Sequence, residues 1–323
     1  MADVFSTTTS GLGTNLVTMA YDKLIELNLR NTPQFRAIAD KKVGNPTHDG
    51  SSIRFQFHND IADTTLAGAT LAETVDPDAV ALPATTTLDI SQQELGRVVL
   101  PTRKLSLMSL ADVDPWIANA VSFNMAMTLD NGIAAILDAG TNVIRESAGA
   151  LSTTAAKTTI TTSDTMKGRD IRYAVTKLRA NNVVTRGGMY VAYVHPEVSH
   201  DLRTETGNNI WRTPNEYQNI GSLYAGELGA WEGVRFIETP TMTNTQSGSG
   251  AGASQTRVYN TYVLGQQALA EAVWKEPGIE FGNVVDKLNR FRPVGWHGII
   301  NWSIYRQAAL YRIETASSVR PTA

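Results

Sequence analysis

The stretch between Asp114-Pro115 and Gly140 constrains the fold more than any other part of the chain. Asp114 is a natural N-cap acceptor, Pro115 suits the first helical position, and Gly140 suits the residue that ends a helix. Between them Ile117, Val121, Met125, Leu129, Ile133 and Leu137 recur at helical spacing. This spacing predicts a helix over 115–139 with one apolar stripe, a rod of roughly 37 Å at about 1.5 Å per residue. Such a rod is long enough to span a subunit, and its stripe, methionines included, reads as core and not as a cofactor box.

The text before the helix has a different period. Phe5 to Gly11 is small and polar, the composition of an arm, and Leu16, Ala20, Leu24 and Leu27 then predict an amphipathic helix that ends before Pro33. From Ser51 the repeat becomes two: Ile53, Phe55 and Phe57 alternate with Arg54, Gln56 and His58, as in a strand with one exposed side. Thr85 to Ile90 and Arg97 to Leu100 read as the return strand, with Gly96 as a bulge or kink. The intervening residues, from Asn59 to Pro83, are small and acidic. A long hairpin with a mobile tip is expected, and a tip with few contacts of its own should find them on a neighbour.

After the long helix the chain is mixed. A second helix is expected around Gly168 to Asn181, with Ile171, Ala174, Val175 and Leu178 inward and the basic residues Arg169, Arg172, Lys177 and Arg179 outward. Met189 to Val194 reads as a strand, followed by a short helix opened by Pro196. The turn-rich segment from Thr204 to Gly229 spaces Trp211, Tyr217 and Tyr224 as anchors against a partner or against the core. Val234 to Ile237, Val258 to Leu264, Ile299 to Tyr305 and Ala309 to Ile313 read as strands, the last two as a terminal antiparallel hairpin. The fold class is α+β.

Hydrophobic residues make up 42% of the 323 residues and charged residues only 18%, against about a quarter in ordinary soluble domains. Extensive subunit contacts would produce such a depletion, because charge is disfavoured at the buried centre of interfaces. The formal net charge of -3 gives the whole molecule no electrostatic preference for nucleic acid or anionic membrane. The absence of cysteine excludes disulfides, thiolate metal sites and cysteine nucleophiles. No apolar run is read as membrane-spanning, and Met1-Ala2-Asp3-Val4 lacks signal-peptide regions, so synthesis and assembly in the cytoplasm are expected.

Catalytic patterns are wanting. His195 and His200 lie five apart, off the shared helical face of paired zinc ligands, and His48, His58 and His297 sit in no motif. Ser199-His200-Asp201 spells a triad consecutively, whereas real triads meet through the fold. There is no Gly-Lys dipeptide and hence no P-loop, and Gly11-Leu12-Gly13 follows no strand. Asp112/Asp114 read as a helix cap and Asp76/Asp78 as a turn. Neither a catalytic residue, a cofactor nor a metal is expected.

Taken in order, the polar arm, long hairpin, spanning helix, mixed domain and terminal strands resemble the coat proteins of tailed bacteriophages with the Hong Kong 97-like fold. The residues that carry the likeness are the return strand from Thr87-Leu88-Asp89-Ile90 to Thr102, the Asp114-Pro115 helix start, His195-Pro196-Glu197 after a strand, and Val263-Leu264-Gly265-Gln266-Gln267-Ala268. The resemblance implies an N-terminal arm (1–45), an extended loop (46–105), a peripheral domain with the spine helix (106–185), an axial domain (186–281), and closing strands that return to the peripheral domain (282–323). It implies a major capsid subunit that forms pentamers and hexamers around double-stranded DNA in a virion, with scaffold and portal proteins as assembly partners. Phe55, Phe57, Arg54, Arg97, Trp211, Tyr217 and Tyr224 are then candidate inter-subunit contacts, and Arg169, Arg172, Lys177 and Arg179 candidate DNA-facing residues. One branch of this lineage cross-links its subunits through a lysine on the extended loop. Here no lysine occurs from Val43 to Arg103, so a non-covalent shell is expected. The competing readings are an encapsulin-like compartment of the same fold, another virion protein such as a tail-tube subunit, and an enzyme without a local motif.

Overall fold

The computed structural model describes residues 33–44, 50–58, 61, 64–71, 73–74, 76, 79–108, 113–205, 227–245, 251–283, 288 and 290–320. The helix expected from Leu16 to Leu27 lies outside them. In chain order the elements are β1 (Asp40–Val43), β2 (Ser52–Phe57), α1 (Leu66–Ala69), β3 (Thr86–Ser91), β4 (Glu94–Val99), α2 (Arg103–Met108) and α3 (Val113–Asp138). Then follow β5 (Val143–Ser147), β6 (Ala150–Ser152), α4 (Gly168–Ala180), β7 (Tyr190–Val194), α5 (Pro196–Thr204), β8 (Glu227–Trp231), β9 (Val234–Glu238) and β10 (Asn244–Thr245). The chain closes with β11 (Val258–Leu264), β12 (Leu269–Phe281), β13 (Val294–Ile304) and β14 (Leu310–Thr315).

Among the described residues these strands form three sheets. A four-stranded sheet runs β1-β12-β13-β4, an eight-stranded sheet runs β6-β5-β14-β11-β7-β9-β8 with β10 beside β11, and β2 pairs with β3 alone. The centre of the eight-stranded sheet is covered on both faces: every residue of β7 and β11 is buried, the polar Asn260 and Thr261 included. Helix α4 lies against β5, β11 and β14. It buries Ile171, Ala174, Val175 and Leu178, the face read from its periodicity.

Helix α3 packs across β13, β12 and β4. Its stripe points into the core as its period requires: Ile117, Val121, Leu129, Ile133 and Leu137 are buried and Met125 packs beside them. Gly132 brings the helix close to the sheet, since a Cβ there would stand 3.3 Å from the Trp302 ring. The helix begins at Val113, so Pro115 occupies the third helical position. Its missing N–H costs nothing there, because the first four N–H groups of a helix have no intrahelical acceptor. By length and composition Trp116–Asp138 is also apolar enough to cross a membrane, contrary to the expectation, with a mean hydropathy of 1.2. Its buried stripe instead makes it the core helix of this fold.

Two further expectations are corrected. Ile299–Tyr305 and Ala309–Ile313 do not pair as a terminal hairpin: β13 lies between β12 and β4, whereas β14 lies between β11 and β5 in the other sheet. The chain changes sheet through the 3-10 turn Gln307–Ala309. Second, Arg97 to Leu100 does not continue the return strand. After β3 the chain leaves the hairpin, and β4 pairs with β13, Arg97 opposite Trp296. Gly96 marks no bulge there: the register is unbroken, and a Cβ at Gly96 would come within 2.8 Å of the Trp296 carbonyl oxygen. Each large sheet draws its strands from more than one of the expected segments. Strand β12 joins the sheet under α3, while β5, β6 and α4 belong with the eight-stranded sheet.

Candidate assembly surfaces

The β2–β3 hairpin stands on the four-stranded sheet by a small apolar foot. Ile53, Phe55 and Ile90 are buried against Ala270 and Ala272 of β12, with Leu88, Trp274 and Tyr305 around them. Phe55 meets the Tyr305 ring edge-on at 5.3 Å and Phe57 lies 4.6 Å from the same ring. Phe55, a candidate contact with another subunit, is 7% exposed and packs its ring within its own chain. Arg54 faces outward and grips Asp89 across the ladder with two bonds of 2.7 and 2.8 Å. Those bonds hold the Asp89 carboxyl below its ordinary range.

Beyond this foot the described residues of the hairpin form no core. Every described residue from 64 to 87 whose side chain is described is exposed. Leu66 is 89% exposed, Leu82 80%, Val80 73% and Leu71 71%. Isolated exposed leucines are ordinary; here four large apolar residues of one hairpin are exposed within the chain. Helix α3 also leaves apolar surface uncovered within the chain. Only a third of its apolar window is buried within the subunit, and its charged residues are confined to Asp114, Asp130 and Asp138. Asp130 is itself buried and accepts from the backbone N–H groups of Gln34 and Phe35.

The basic face of α4 is largely engaged within the subunit. Arg169 makes a forked contact with Glu146 of β5, its Nε at 2.9 Å from Oε1 and its Nη2 at 2.7 Å from Oε2, and Glu146 is fully buried. Arg172 pairs with Glu232 at 2.9 Å and lies over the Trp231 ring. Lys177 sits 5.4 Å from the Tyr173 ring, and Arg179 is exposed. Arg97 is exposed on β4. Trp211, Tyr217 and Tyr224 lie outside the described residues.

Next to Arg169, sequence reading missed a buried acid pair. Asp170 caps α4, accepting from the Lys167 N–H at 3.0 Å, and is completely buried beside Glu146. Burial first, and the Glu146 charge second, push its carboxyl up to about 8. Its Oδ1 accepts no hydrogen bond among the described residues, so the protonated form, donating to Glu146, is the satisfied one. The folded protein then keeps a proton that the unfolded chain has released. The stability from this pair is full below the ordinary value of 3.8 and is lost as pH rises through about 8. Asp170→Asn, which donates at every pH, should flatten that decline. Urea midpoints of the two proteins, measured from pH 5 to 8, should diverge in the variant's favour toward pH 8.

The geometry gives the consecutive triad no catalytic meaning. Ser199 Oγ is buried and donates to Glu238 at 2.7 Å, His200 points outward, and Asp201 accepts from the Ser318 N–H. His195 caps α5, its Nδ1 accepting from the Glu197 N–H at 3.2 Å, and burial lowers its pKa. Among the described residues no group of three or more His, Asp or Glu is placed to hold a metal ion.

Comparison with known proteins places these surfaces in context. A family model described as phage capsid protein matches residues 118–301. The chain superposes on the capsid of cyanophage Pam1 with a TM-score of 0.75 at 15% identity, covering 99% of this chain and 100% of that one. It matches the capsid of Ralstonia phage GP4 with a TM-score of 0.72 at 13% identity, covering 97% and 98%. The head structure of Helicobacter pylori bacteriophage KHP40 matches with a TM-score of 0.68 at 13% identity, covering 98% and 99%. No curated protein matches the chain in sequence.

Proposed function

The chain belongs to the phage capsid protein family, and from that premise we infer that its copies assemble, as pentamers and hexamers, into an icosahedral shell around a double-stranded DNA genome. It is a structural subunit of a phage head with an α+β, Hong Kong 97-like fold. The observation that carries the shell reading is the hairpin tip, whose exposed leucines and valines have no partner surface in their own chain among the described residues. The part-covered α3 supports it, because a long helix with so few charges is at home only when other copies cover its remaining face. In this reading α3 and the four-stranded sheet form the peripheral domain, and the eight-stranded sheet with α4 and α5 the axial one. Scaffold and portal proteins are its assembly partners, and assembly takes place in the host cytoplasm. Of the basic residues on α4, the exposed Lys177 and Arg179 are the ones proposed to meet DNA phosphates non-specifically.

Negative-stain microscopy of purified protein tests the reading. Rings or polyhedral particles are expected; a small discrete oligomer at every concentration would overturn it. Assembled particles boiled in detergent should run as a single band near 35.0 kDa, since the hairpin has no lysine from Val43 to Arg103 to form a covalent link. A ladder of covalent oligomers would contradict the non-covalent shell.

A further inference from the structure

We propose that the segment Gln34–Asp40 is a latch that fixes the angle between the four-stranded and the eight-stranded sheet, beside a hinge formed where the chain passes from one to the other. Among the described residues it passes three times: at 139–142 after α3, at 265–268 between β11 and β12, and at 305–309 between β13 and β14. The three crossings lie side by side. The Thr141 N–H and the Asn142 side chain both donate to Gln307, at 3.2 and 2.7 Å. The Gly265 N–H donates to the Ala309 carbonyl at 2.9 Å, and the Tyr305 N–H to the Ala268 carbonyl at 3.0 Å. Gly140 lets two of the crossings approach, since a Cβ there would fall 2.8 Å from the Leu310 side chain. Covalent links gathered along one seam prevent separation of the sheets but leave rotation about the seam soft.

The segment Gln34–Asp40 is tied to both sides of the seam. On the side of the four-stranded sheet, Asp40 opens β1 beside Ala270 of β12, and Arg36 Nε donates to the buried Glu271 at 2.7 Å. The Phe35 N–H donates to Asp130 of α3 at 2.8 Å. On the side of the eight-stranded sheet, the fully buried Phe35 ring meets Tyr193 of β7 edge-on at 4.8 Å, and the Tyr193 hydroxyl donates to the Gln34 carbonyl at 3.1 Å. Arg186, just before β7, donates to the Ile38 carbonyl and, at 3.0 Å, to the Asp40 carboxylate. One short segment therefore grips both sheets.

The latch is also able to release. Two of its acceptors, Gln34 Oε1 and Asp40 Oδ2, are buried and accept no hydrogen bond among the described residues. Water satisfies both when the segment leaves, which lowers the cost of opening. With the latch open, the sheets change angle about the seam while the centre of each stays packed. The latch is a property of one subunit. On the shell reading above, its release lets identical chains present the two sheets at different angles in pentamers and hexamers.

Spin labels on Asn119→Cys of α3 and Thr176→Cys of α4 test the latch in dissociated subunits by double electron–electron resonance. Both positions are exposed, one on each side of the seam, and the chain has no cysteine of its own. Phe35→Leu combined with Arg186→Gln removes the ring contact and the guanidinium ties, and should widen the distribution of label-to-label distances about twofold or more. Each single variant should widen it less. The control Ile144→Val trims a buried side chain of β5 and should lower the urea midpoint without widening the distribution. An unchanged distribution in the combined variant, or equal widening by Ile144→Val, would overturn the latch. Arg186 is only part-buried, so Arg186→Gln alone decides the question if the combined variant does not fold: widening supports the latch, and an unchanged distribution overturns it. Particle formation does not enter the measurement, so the latch and the shell reading fail independently.

Discussion

Replacing residues 59–84 with an Asn-Gly turn should leave a folded, soluble subunit that no longer closes into particles. The register permits the surgery: Phe57 pairs with Thr86, so His58 and Thr85 can flank a two-residue turn. The foot of the hairpin is untouched, because its buried residues are Ile53, Phe55 and Ile90. Stability of the isolated subunit should not fall, since each halving of a loop's length returns roughly 0.6 kcal/mol of closure entropy. What is lost is the only part of the described hairpin with apolar surface and no core of its own. Sedimentation and thermal melting of the shortened protein separate the two effects. Particles of normal yield would show that the tip does no assembly work.

The second large effect concerns Arg169. Removing this side chain as Arg169→Ala leaves Glu146 fully buried with its main counter-charge gone, and the nearest remaining cation, Lys167, stands 3.7 Å away. Breaking a buried pair from one side costs about 3–5 kcal/mol, and the partial exposure of Arg169 and the presence of Lys167 set the expectation at about 3 kcal/mol. Urea denaturation of dissociated subunits measures it. Arg179→Ala, on the same helix but exposed, should fall within about 0.5 kcal/mol of wild type. Equal, small effects at both positions would mean that the Arg169–Glu146 pair does not hold the fold.

These residues also show where the sequence was readable. The stripe of α3 could be read because six apolar residues repeat at one period, and β2 because Ile53 and Phe55 alternate with polar neighbours. Strand β12 could not. Lys275-Glu276-Pro277-Gly278 has the composition of a turn, yet the strand passes through it with two register shifts, Pro277 packing where Gly298 offers no side chain. The separation of β13 from β14 was hidden for another reason: proximity in sequence favours a hairpin, and only the pairing of β14 with β11 and β5 takes it to the other sheet. The outward face of α4 was legible, but its function was not. Glu146 reaches Arg169 from a different strand, and no local pattern announces a carboxylate arriving from 23 residues away. The Ala148-Gly149 turn that ends β5 is equally silent, because Ala148 takes a φ of 52° that its residue type does not advertise.

The central claim is that the surface of the hairpin tip is completed by another copy of the same chain. The chain has no cysteine, so Leu82→Cys introduces a single thiol at a position 80% exposed in the isolated subunit. Its rate of reaction with a maleimide, compared between dissociated subunits and intact shells, measures the covering directly. The expected result is rapid labelling of subunits and protection in shells; equal rates in both would contradict the claim.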